Sequence, residues 1–443
     1  MAGPALEAGP AWSPCLGFVP SRPVSFPQDF FWGAATSSHQ IEGGNVHNDW
    51  WQAETAGRLP YHSGDACDSF RRYASDLDLA RGLNHNAHRF SLEWSRIEPE
   101  PGVYDPAALD HYAQVVQACR DRGLEPFVTL HHFTNPQWFA AAGGWLSKGA
   151  DQTFARYVEA VVQALPDVRY WLTINEPTVY AAHAYVYGEW PPFEERAWVK
   201  AWHVLRRMAR AHLLAYRVLH RHPGGRQGER QVGYAHSAPW VVPCDARRGR
   251  DRFAARARDW VWNEFFLRRL EKGSGPNECP LDFLGLNYYT RTLTRTRMSP
   301  SGLLFGRACK DAEHHRDLGP AASVGTEVYP PGLARVLHRF SSLGLPLFVT
   351  ENGVATDDEA LRTETLHQHL RALEQALGTG APVRGYFYWS LMDNYEWRHG
   401  PEARYGLYAV DFETQKRTPR PVAAAYADVC RANGVRQATS TRP

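Results

Sequence analysis

The most constraining feature of this 443-residue chain is a regular alternation between two kinds of segment. Short runs rich in β-branched and aromatic residues have the character of buried strands, and longer runs between them have helical periodicity. The strand candidates are Phe30–Ala35, Ala87–Trp94, Pro126–His131, Tyr170–Ile174, Val232–Ala235, Phe283–Tyr288, Leu347–Thr350 and Gly385–Ser390. The helix candidates are Ser69–Gly82, Ala107–Arg122, Gln152–Leu165, Ala197–His220, Asp251–Leu270, Gly332–Phe340, Asp358–Leu377 and Ala423–Cys430.

This alternation predicts a parallel sheet, because each helix returns the chain to the end of the sheet where the next strand begins. Eight such units favour closure of the sheet into a barrel. We therefore expect an α/β fold, a single (β/α)8 TIM barrel whose extended βα loops form a deep active-site pocket. Asp68 and Asp151 precede the first and third helix candidates and are predicted to be N-caps.

The domain organisation follows from what the chain lacks. No Pro/Ser-rich linker divides it, and the sequence has no internal repeat of the length typical of solenoids and propellers. We expect residues 25–433 to form the barrel, with a poorly ordered tail at 1–24 and a C-terminal tail at 434–443. The first segment is rich in proline and lacks the basic start and apolar core of a signal peptide.

The charge balance limits the classes of partner. Lys and Arg number 49 against 47 Asp and Glu, so the net charge is +2 and no strong field attracts nucleic acid or an anionic membrane. The Arg-rich run at 247–258 is interleaved with acidic residues and is interpreted as a solvated helix face. No apolar run approaches the roughly 18 residues of a membrane helix. The expected partner is a small uncharged molecule, and a homo-oligomer is compatible with the sequence.

The cysteines indicate the redox environment. They number seven, are widely scattered and form no CxxC pair. This pattern argues against a disulfide framework and a structural zinc site, and it fits a reducing compartment. The sequence predicts a cytoplasmic protein with no cofactor and no metal.

Polar residues collect where the predicted strands end. In a barrel of this kind the active site forms at the C-terminal ends of the strands. The residues at these ends include Gln40 after the first strand, His131 and His132 after the third, Asn175 and Glu176 after the fourth, Asn287 and Tyr289 after the sixth, Glu351 after the seventh, and Trp389, Glu396 and Trp397 after the eighth. These side chains are predicted to share one rim.

Two carboxylates, Glu176 and Glu351, lie at equivalent ends of the fourth and seventh strands. A pair of carboxylates is the minimum machinery for glycoside hydrolysis, with one protonating the leaving oxygen and the other acting at the sugar carbon. If they are close, the ionised one raises the pKa of the other and keeps it protonated near neutrality. Arg89 lies inside the second strand and needs a carboxylate partner, for which Glu351 is the candidate.

Other interpretations of these residues compete. A lone glutamate at a strand end is more often half of a structural ion pair, but the gathering of amides, indoles and histidines at the same rim favours a catalytic site. Because His131 and His132 are adjacent, they point to opposite sides of a strand, and no triad with metal-ligand spacing emerges. Phosphate-cradling glycine motifs and a GxSxG nucleophile elbow are absent from the sequence.

Six motifs occur in order along the chain: "FFWGAATSSHQIEG", "HRFSLEWSRIEP", "WLTINEP", "FLGLNYYT", "LFVTENG" and "GYFYWSLMDNYEWRHGPEARYGLYAVDF". With them the chain resembles glycoside hydrolase family one, the β-glucosidase family, from Phe26 to about Asp428. The resemblance implies a retaining β-glycosidase that removes terminal non-reducing β-D-glucosyl residues through a glycosyl-enzyme intermediate. The implied substrate is a small β-glucoside or oligosaccharide, and β-D-fucosides and β-D-galactosides are expected to be accepted as well.

The resemblance also implies roles for individual residues. Glu176 would be the general acid/base and Glu351 the nucleophile, with Arg89 and Tyr289 orienting Glu351. Asn175 would bind the 2-hydroxyl of the sugar, a contact that strengthens in the transition state.

The sugar pocket implied by the resemblance is wider than the catalytic pair. Its members are Gln40, His132, Asn175, Trp389, Glu396 and Trp397, with Asn287 behind them. The indole of Trp389 would carry the apolar face of the sugar. The charge of Glu396 would repel a 6-phosphate, which favours neutral sugars, and a carboxylate at Glu176 argues against the thioglucosidase variant, which carries Gln at this position.

The chain departs from the family pattern on the expected aglycone side. The segment Thr129–Pro136 reads "TLHHFTNP" where many members read "TLYHWDLP", and Thr178 replaces a frequent aromatic residue. Val179–Pro192, which includes His183, follows its own pattern. These differences leave the aglycone and the extent of glycosyl transfer open, so a transglycosylase is an alternative. A non-catalytic sugar-binding relative is a further alternative, although such relatives lack one or both glutamates.

Overall fold

The computed structural model describes residues 26–222, 230–274, 279–297, 306–309 and 320–435. The predicted N-terminal tail, 1–24, lies outside these residues. The predicted C-terminal tail, 434–443, lies outside them from residue 436 onward.

The eight predicted strands form a closed barrel. In chain order, β1 to β8 are Phe31–Ala35, Ala87–Ser91, Glu125–Thr129, Tyr170–Asn175, Gln231–Ser237, Leu284–Asn287, Leu347–Asn352 and Val383–Trp389. Each strand pairs in parallel with its sequence neighbours, and β1 pairs with β8 to close the ring. The predicted (β/α)8 TIM barrel is therefore confirmed.

Helices surround the barrel. The outer helices are Ser69–Gly82, Pro106–Asp121, Ala150–Ala164, Trp198–Arg221, Gly249–Asp259, Phe265–Gly273, Pro330–Ser341, Glu359–Gly378 and Pro421–Ala432. One helix start is marked chemically: Asp105 accepts a hydrogen bond from the Ala107 amide at 2.8 Å, and Pro106 occupies the first turn. No helix in the described part of the chain is both long and apolar enough to span a membrane.

Of the two predicted N-caps, Asp151 is wrong and Asp68 is confirmed in position. The Ala150–Ala164 helix starts before Asp151, which lies inside it with a buried side chain that pairs with Arg207 at 3.0 Å and Arg210 at 3.3 Å. Asp68 does hold the N-cap position, but its side chain makes no capping bond and contacts two arginines of the first turn instead. In both cases a nearby guanidinium competes with the backbone for the carboxylate.

The predicted helix Asp251–Leu270 is interrupted. A π-helical turn, Trp260–Glu264, separates its two α-helical parts. Within this turn the Asn263 amide donates to the Pro239 carbonyl at 3.1 Å and to Asp259 at 2.8 Å. Tertiary hydrogen bonds of this kind stabilise the extra residue of a π-turn, and a periodicity signal does not contain them.

Aromatic rings fill the barrel interior below the mouth. Phe127 and Tyr170 stack with ring centroids 4.2 Å apart, and Phe387 meets Phe127 edge-on at 4.7 Å. Phe283 and Phe348 pack in the same cluster, 5.1 Å apart. These rings close the floor of the barrel, so polar side chains above them are held at a fixed depth.

Short elements build the rim at the C-terminal ends of the strands. The helical ones are Ser38–Ile41, Asp49–Thr55, Trp94–Ile97, Gln137–Ala141, Gly144–Leu146, Pro177–Tyr185 and Trp397–Glu402. The others are a three-stranded sheet of Trp240–Pro243, Arg291–Arg295 and Arg307–Ala308, and a hairpin of Tyr408–Asp411 and Lys416–Pro419. These elements give the barrel its deep mouth.

Candidate active site

Glu176 lies where β4 stops and the next helix starts. Its backbone has φ 42° and ψ 60°, and Pro177 follows as the first helical residue. These angles fall in the left-handed region that non-glycine residues rarely adopt. The pairing of β4 with β5 also shifts register between Leu172 and Asn175, as irregular strands do beside functional sites. This local geometry turns the Glu176 side chain out of the line of the strand, and the residue is only 8% exposed.

Glu351 lies at the matching end of β7, next to a second register shift, between Val349 and Glu351. Its Oε1 accepts a hydrogen bond from Arg89 Nη1 at 2.6 Å, and its Oε2 accepts one from the Tyr289 hydroxyl at 2.8 Å. Each carboxylate oxygen therefore has a donor of its own, which fixes the orientation of the carboxylate.

Arg89 joins three strands through one guanidinium. Besides Glu351, it donates to the Asn175 side-chain oxygen at 2.7 Å, to the Thr129 hydroxyl at 3.2 Å and to the Thr350 carbonyl at 3.0 Å. The Asn175 amide nitrogen is thereby turned toward His132 Nε2, 3.2 Å away. One buried cation thus sets the positions of both Glu351 and Asn175.

Asn287 connects the two glutamates. Its amide donates to Glu176 Oε1 at 3.1 Å and to the Asn175 oxygen at 3.2 Å, and its own oxygen accepts from the Thr350 hydroxyl at 2.7 Å. The amide also lies close enough to Glu351 to oppose the rise in pKa that burial causes in that carboxyl. Asn287 therefore lies near both carboxyl groups.

The environments of the two glutamates differ in charge. Burial and the nearby Glu351 raise the pKa of Glu176 to about 8. Burial raises the pKa of Glu351 as well, but the Arg89 charge and the Tyr289 hydrogen bond act in the opposite direction. Because Glu351 contacts a cation, Arg89, and Glu176 contacts none among the described residues, the proton that the pair shares near neutrality belongs on Glu176.

Gln40, Glu396 and Trp389 form a second polar group beside the glutamates. Glu396 Oε2 accepts from the Gln40 amide at 3.0 Å and from the Trp389 indole at 3.4 Å. Burial and the charge of Glu351 raise the pKa of Glu396 to about 8, so this carboxyl lies near Glu351. Ser37 donates to the Gln40 oxygen at 2.6 Å and fixes the direction of the amide.

Aromatic rings line the wall between these groups. His132 stacks with Trp389 at 5.9 Å and with Trp397 at 6.2 Å, with both ring pairs within 17° of parallel. The Nδ1 atom of His132 is buried and has no hydrogen-bond partner in the part of the chain that the structure describes. Burial also lowers the pKa of His132 well below its usual value, so the ring is neutral and available for a hydroxyl group.

The two residues predicted on the aglycone side are placed apart from this cluster. Thr178 is buried, and its hydroxyl has no hydrogen-bond partner among the described residues. His183 lies further out, 2.7 Å from Glu189 Oε2, and stacks on Trp190 with ring centroids 4.5 Å apart. Trp190 in turn lies 5.8 Å from Trp397, so His183 is connected to the pocket through one ring.

Two residues near the glutamates were not predicted from the sequence. Ser237, the last residue of β5, lies near Glu176 and slightly opposes the rise in pKa that burial and Glu351 cause in this carboxyl. Tyr405 lies near Glu396, Glu351 and Glu176, and burial together with the charges of all three raises its pKa. A strand-end rule includes Ser237 when β5 is extended to its real end, whereas Tyr405 follows a loop and gives no such signal.

The histidines and acidic residues of the described part of the chain were also compared with the arrangement that a metal ion requires. His131 contacts Asn135 at 3.1 Å, behind the pocket wall rather than beside the glutamates. Within the described ranges, no group of three or more His, Cys, Asp or Glu side chains is arranged to hold a metal ion.

A parallel barrel with two neighbouring carboxyls at its mouth, side-chain amides beside them and a histidine stacked on two indoles is typical of the glycosidase class of hydrolases. The model of glycosyl hydrolase family 1 matches residues 22–280 and 278–435. The chain belongs to this family and is a glycoside hydrolase of the β-glucosidase type, with small sugar-containing molecules as its substrates.

Three relatives illustrate the similarity. Thermostable beta-glucosidase B of Thermobispora bispora is 35% identical, with 93% of this chain and 92% of the relative covered. The 6-phospho-beta-galactosidase of Staphylococcus aureus strain JH9 is 30% identical, with 91% and 98% covered. The solved structure of a beta-glycosidase from Pyrococcus horikoshii is 40% identical, covers 94% of this chain and 97% of its own, and has a TM-score of 0.86.

Proposed function

We propose that this protein is a retaining β-glycosidase that hydrolyses terminal non-reducing β-D-glucosyl residues, and also β-D-fucosyl and β-D-galactosyl residues, by double displacement. The observation that carries this proposal is the proximity of Glu176 and Glu351: the charge of Glu351 helps burial to raise the pKa of Glu176, and both carboxyl groups lie near Asn287. Proximity of this kind favours the carboxyl spacing of about 5 Å that retaining enzymes use over the ~6.5–9.5 Å that leaves room for a water in inverting ones.

In the first step Glu351 attacks the anomeric carbon while Glu176 donates its proton to the glycosidic oxygen. The C–O bond to the aglycone breaks, the aglycone leaves as an alcohol, and a glycosyl ester forms on Glu351. The contacts of Glu351 with Arg89 and Tyr289 support this role, because they keep the carboxylate ionised and aimed.

In the second step Glu176, now ionised, takes a proton from a water molecule as that water attacks the same carbon. The ester bond to Glu351 breaks, and the sugar leaves with the configuration it had in the substrate. Asn287 donates to Glu176 Oε1 at 3.1 Å and is neutral, so this contact tolerates either protonation state.

The sugar-binding roles follow the chemistry of each side chain. Asn175 presents an amide nitrogen beside Glu351 and suits the 2-hydroxyl, while Gln40 and Glu396 together suit two neighbouring hydroxyls. Trp389 offers a ring face for the apolar side of the sugar, with His132 stacked beside it.

Glu396 favours neutral sugars over sugar 6-phosphates. The ionised form of Glu396 would repel a phosphate placed beside it, and the protonated form, which burial and the charge of Glu351 favour, offers a phosphate no positive charge. The Staphylococcus aureus relative is named for a 6-phospho substrate, so both neutral and phosphorylated sugars must be tested.

His183 and Thr178 are proposed for the aglycone side. The imidazole of His183 is held by Glu189, which lies 3.6 Å from the Arg398 guanidinium. These partly exposed polar groups border Trp190 and Trp397, an arrangement that suits a second sugar with both hydroxyls and an apolar face.

A transglycosylase is the principal alternative, since the glycosyl ester on Glu351 can be transferred to a sugar instead of water. A non-catalytic sugar-binding role is disfavoured, because both glutamates are present and only one of the two contacts a cation, Arg89, within the described residues.

The free cysteines among the described residues fit a cytoplasmic location.

The proposal predicts turnover of 4-nitrophenyl β-D-glucoside and of cellobiose, with the β-anomer of glucose as the first product seen by NMR. 4-Nitrophenyl β-D-glucoside 6-phosphate should be cleaved at least about 100-fold more slowly. Release of the α-anomer would contradict retention, the absence of turnover on every β-glycoside would contradict the function, and disaccharide products in place of glucose would favour the transglycosylase.

We expect a bell-shaped dependence of kcat/KM on pH. Glu176 acts in its protonated form, and because its pKa is raised to about 8, activity should persist through neutrality and fall above about pH 8. On the acid side activity should fall as Glu351 gains a proton. The pKa of Glu396 is also raised to about 8, so an experiment must decide whether Glu176 or Glu396 causes the alkaline limb of the profile.

The assignment uses a substrate that needs no acid catalyst. In Glu176→Gln, hydrolysis of 2,4-dinitrophenyl β-D-glucoside is expected to lose the alkaline limb of its glycosylation step. An alkaline limb unchanged in this variant would assign the transition to another group, of which Glu396 is the nearest candidate.

A further inference from the structure

Exposed apolar side chains are concentrated on one side of the barrel. Eight large apolar residues are exposed in the described part of the chain, and five of them form what we call the apolar surface: Tyr187, Trp198, Val199, Phe253 and Trp260, with exposed fractions from 38% to 71%. Single exposed apolar residues are ordinary, whereas a contiguous group of them marks a surface that binds a partner.

Two neighbouring helices carry most of the apolar surface. Trp198 and Val199 begin one outer helix, Phe253 lies in the next, and Trp260 follows it in the π-helical turn. Trp202, one turn after Trp198, stacks on Trp260 with ring centroids 6.2 Å apart and joins the two helices. Phe253 and Trp260 are seven residues apart and therefore share one helix face.

Tyr187 joins the same surface from the segment that follows β4. Its ring meets His183 edge-on, with the ring centroids 5.3 Å apart. Arg258, in the helix of Phe253, lies close enough to Tyr187 to oppose the fall in pKa that burial causes in that guanidinium. The apolar surface is therefore continuous from the edge of the barrel mouth to the helix after β5.

The acidic residues of the Arg-rich run do not neutralise its outer face. They interleave with the arginines in the sequence, but in the structure Asp251 is buried and Asp259 lies 2.7 Å from Arg339 of another helix. Asp245 pairs with Arg248 at 3.2 Å. The run therefore exposes positive charge that the sequence pattern does not show.

Arginines without acidic partners lie among the apolar residues. Arg250 and Arg256 are exposed and make no ion pair within the described residues, and Arg256 is on the helix face between Phe253 and Trp260. Arg206, one turn after Trp202 on the neighbouring helix, is also exposed and makes no ion pair in the described part of the chain. A local basic patch of this kind is compatible with a net charge of only +2 for the whole chain.

The combination of exposed rings and arginines favours one kind of partner. In a symmetric contact with a second copy, arginines would face arginines, and like charges oppose such an interface. A single-stranded nucleic acid stacks its bases on ring faces, but Val199, the most exposed residue of the apolar surface at 71%, offers no ring. An anionic bilayer attracts the arginines and also accommodates both rings and aliphatic side chains at its headgroup level.

We propose that the apolar surface and the arginines around it bind the surface of an anionic lipid bilayer. In this mode the exposed rings and Val199 enter the headgroup layer, while the guanidinium groups contact lipid phosphates. The inference goes beyond the proposed function, because it concerns where the enzyme is held and not which bond it breaks.

Co-sedimentation with lipid vesicles tests this proposal without any need for turnover, so its outcome is independent of the proposed function. The full chain is mixed with vesicles of phosphatidylcholine alone or of phosphatidylcholine and phosphatidylglycerol in equal parts. It should partition at least about 10-fold more strongly onto the anionic vesicles. Binding should weaken in about 0.5 M NaCl, because salt screens exposed charges.

Two single variants examine the two components of the surface. Arg256→Glu removes one positive charge and adds a negative one, so it should lower the partition coefficient for anionic vesicles by about 10-fold or more. Phe253→Ser removes an exposed ring and should lower it about 5-fold. Circular dichroism and the midpoint of thermal unfolding establish that each variant is folded.

The matched controls make the same types of change at the opposite end of the barrel. Arg384→Glu alters an exposed arginine at the start of β8, 3.9 Å from Asp29, and Leu343→Ser alters an exposed leucine before β7. Both should leave vesicle binding within about twofold, since they lie outside the proposed contact.

Four results would overturn the proposal: no binding to anionic vesicles, equal binding to both kinds of vesicle, equal losses in the variants and their controls, or unchanged binding in Arg256→Glu and Phe253→Ser. A dimer that these two variants abolish, in the absence of vesicle binding, would assign the surface to a second copy. Binding of a single-stranded oligonucleotide in place of vesicles would assign it to nucleic acid.

Discussion

Replacing Glu351 with glycine is expected to lower the turnover of 4-nitrophenyl β-D-glucoside by on the order of 10⁵-fold, which corresponds to ~6.8 kcal/mol of transition-state stabilisation. The loss is large because the variant removes the nucleophile and leaves Arg89 and Tyr289 without the carboxylate that they both contact. Steady-state rates with the activated substrate measure it directly.

Azide provides the sharper readout. In Glu351→Gly the cavity left by the carboxylate admits a small anion beside Arg89, and azide should restore release of 4-nitrophenol and yield the α-glycosyl azide. The inverted product arises because azide attacks once, from the face that Glu351 occupies. An active variant without azide, or no rescue of an activated substrate, would remove the support for Glu351 as the nucleophile.

A matched control for this variant is Glu413→Gly. Glu413 is exposed in the turn of the hairpin formed by Tyr408–Asp411 and Lys416–Pro419, where its amide donates to Asp411 at 3.0 Å. The same change of residue type there should leave turnover within about twofold and should not respond to azide, which separates loss of a nucleophile from loss of any glutamate.

The barrel could be predicted from the sequence because its periodicity is local. Strands such as Phe31–Ala35 and Leu347–Asn352 are short apolar runs bounded by polar residues, and the helices between them carry apolar stripes. The π-turn at Trp260–Glu264 and the sheet formed by Trp240–Pro243 could not be predicted, because both depend on partners distant in sequence. The local pattern of apolar residues was therefore enough to predict the strands and helices of the barrel. The irregular elements depend on tertiary contacts that this pattern does not contain.

The residues of the candidate site likewise fall into those that could be predicted from the sequence and those that could not. Strand-end position was enough to select Glu176 and Glu351, since a parallel barrel brings all such ends to one face. It was not enough to select Tyr405, whose place depends on how residues 404–406 are anchored to Arg362 and Asp393. Residues on irregular rim segments carry no periodic signal, so their roles emerge only from three-dimensional contacts.

The adjacent pair Asn175 and Glu176 shows how neighbours acquire different chemistry. The Asn175 oxygen accepts from Arg89, which leaves its amide nitrogen for a hydroxyl group, while Glu176 accepts from Asn287 and contacts no cation within the described residues. The left-handed backbone at Glu176 separates the directions of the two side chains. Asn175 therefore shares the Arg89 guanidinium with Glu351, whereas Glu176 keeps its proton.

This separation leads to an expected result for Glu176→Ala that depends on the leaving group. Hydrolysis of cellobiose, whose leaving alcohol needs a proton, should fall about 10³- to 10⁴-fold, within the range of general acid catalysis. Formation of the glycosyl-enzyme from 2,4-dinitrophenyl β-D-glucoside should stay near the unmodified rate, because this leaving group departs unprotonated. Pre-steady-state release of the dinitrophenol measures that step.

The second step then distinguishes Glu176 from a residue that only supports the fold. Without a general base the glycosyl ester on Glu351 accumulates, and azide, which needs no deprotonation, should attack it and yield the β-glycosyl azide. Glu351→Gly gives the opposite anomer, so the two variants form a pair in which the stereochemistry of one product identifies each role. Equal losses on both leaving groups, or an α-azide from Glu176→Ala, would contradict the assignment of Glu176 as the acid/base.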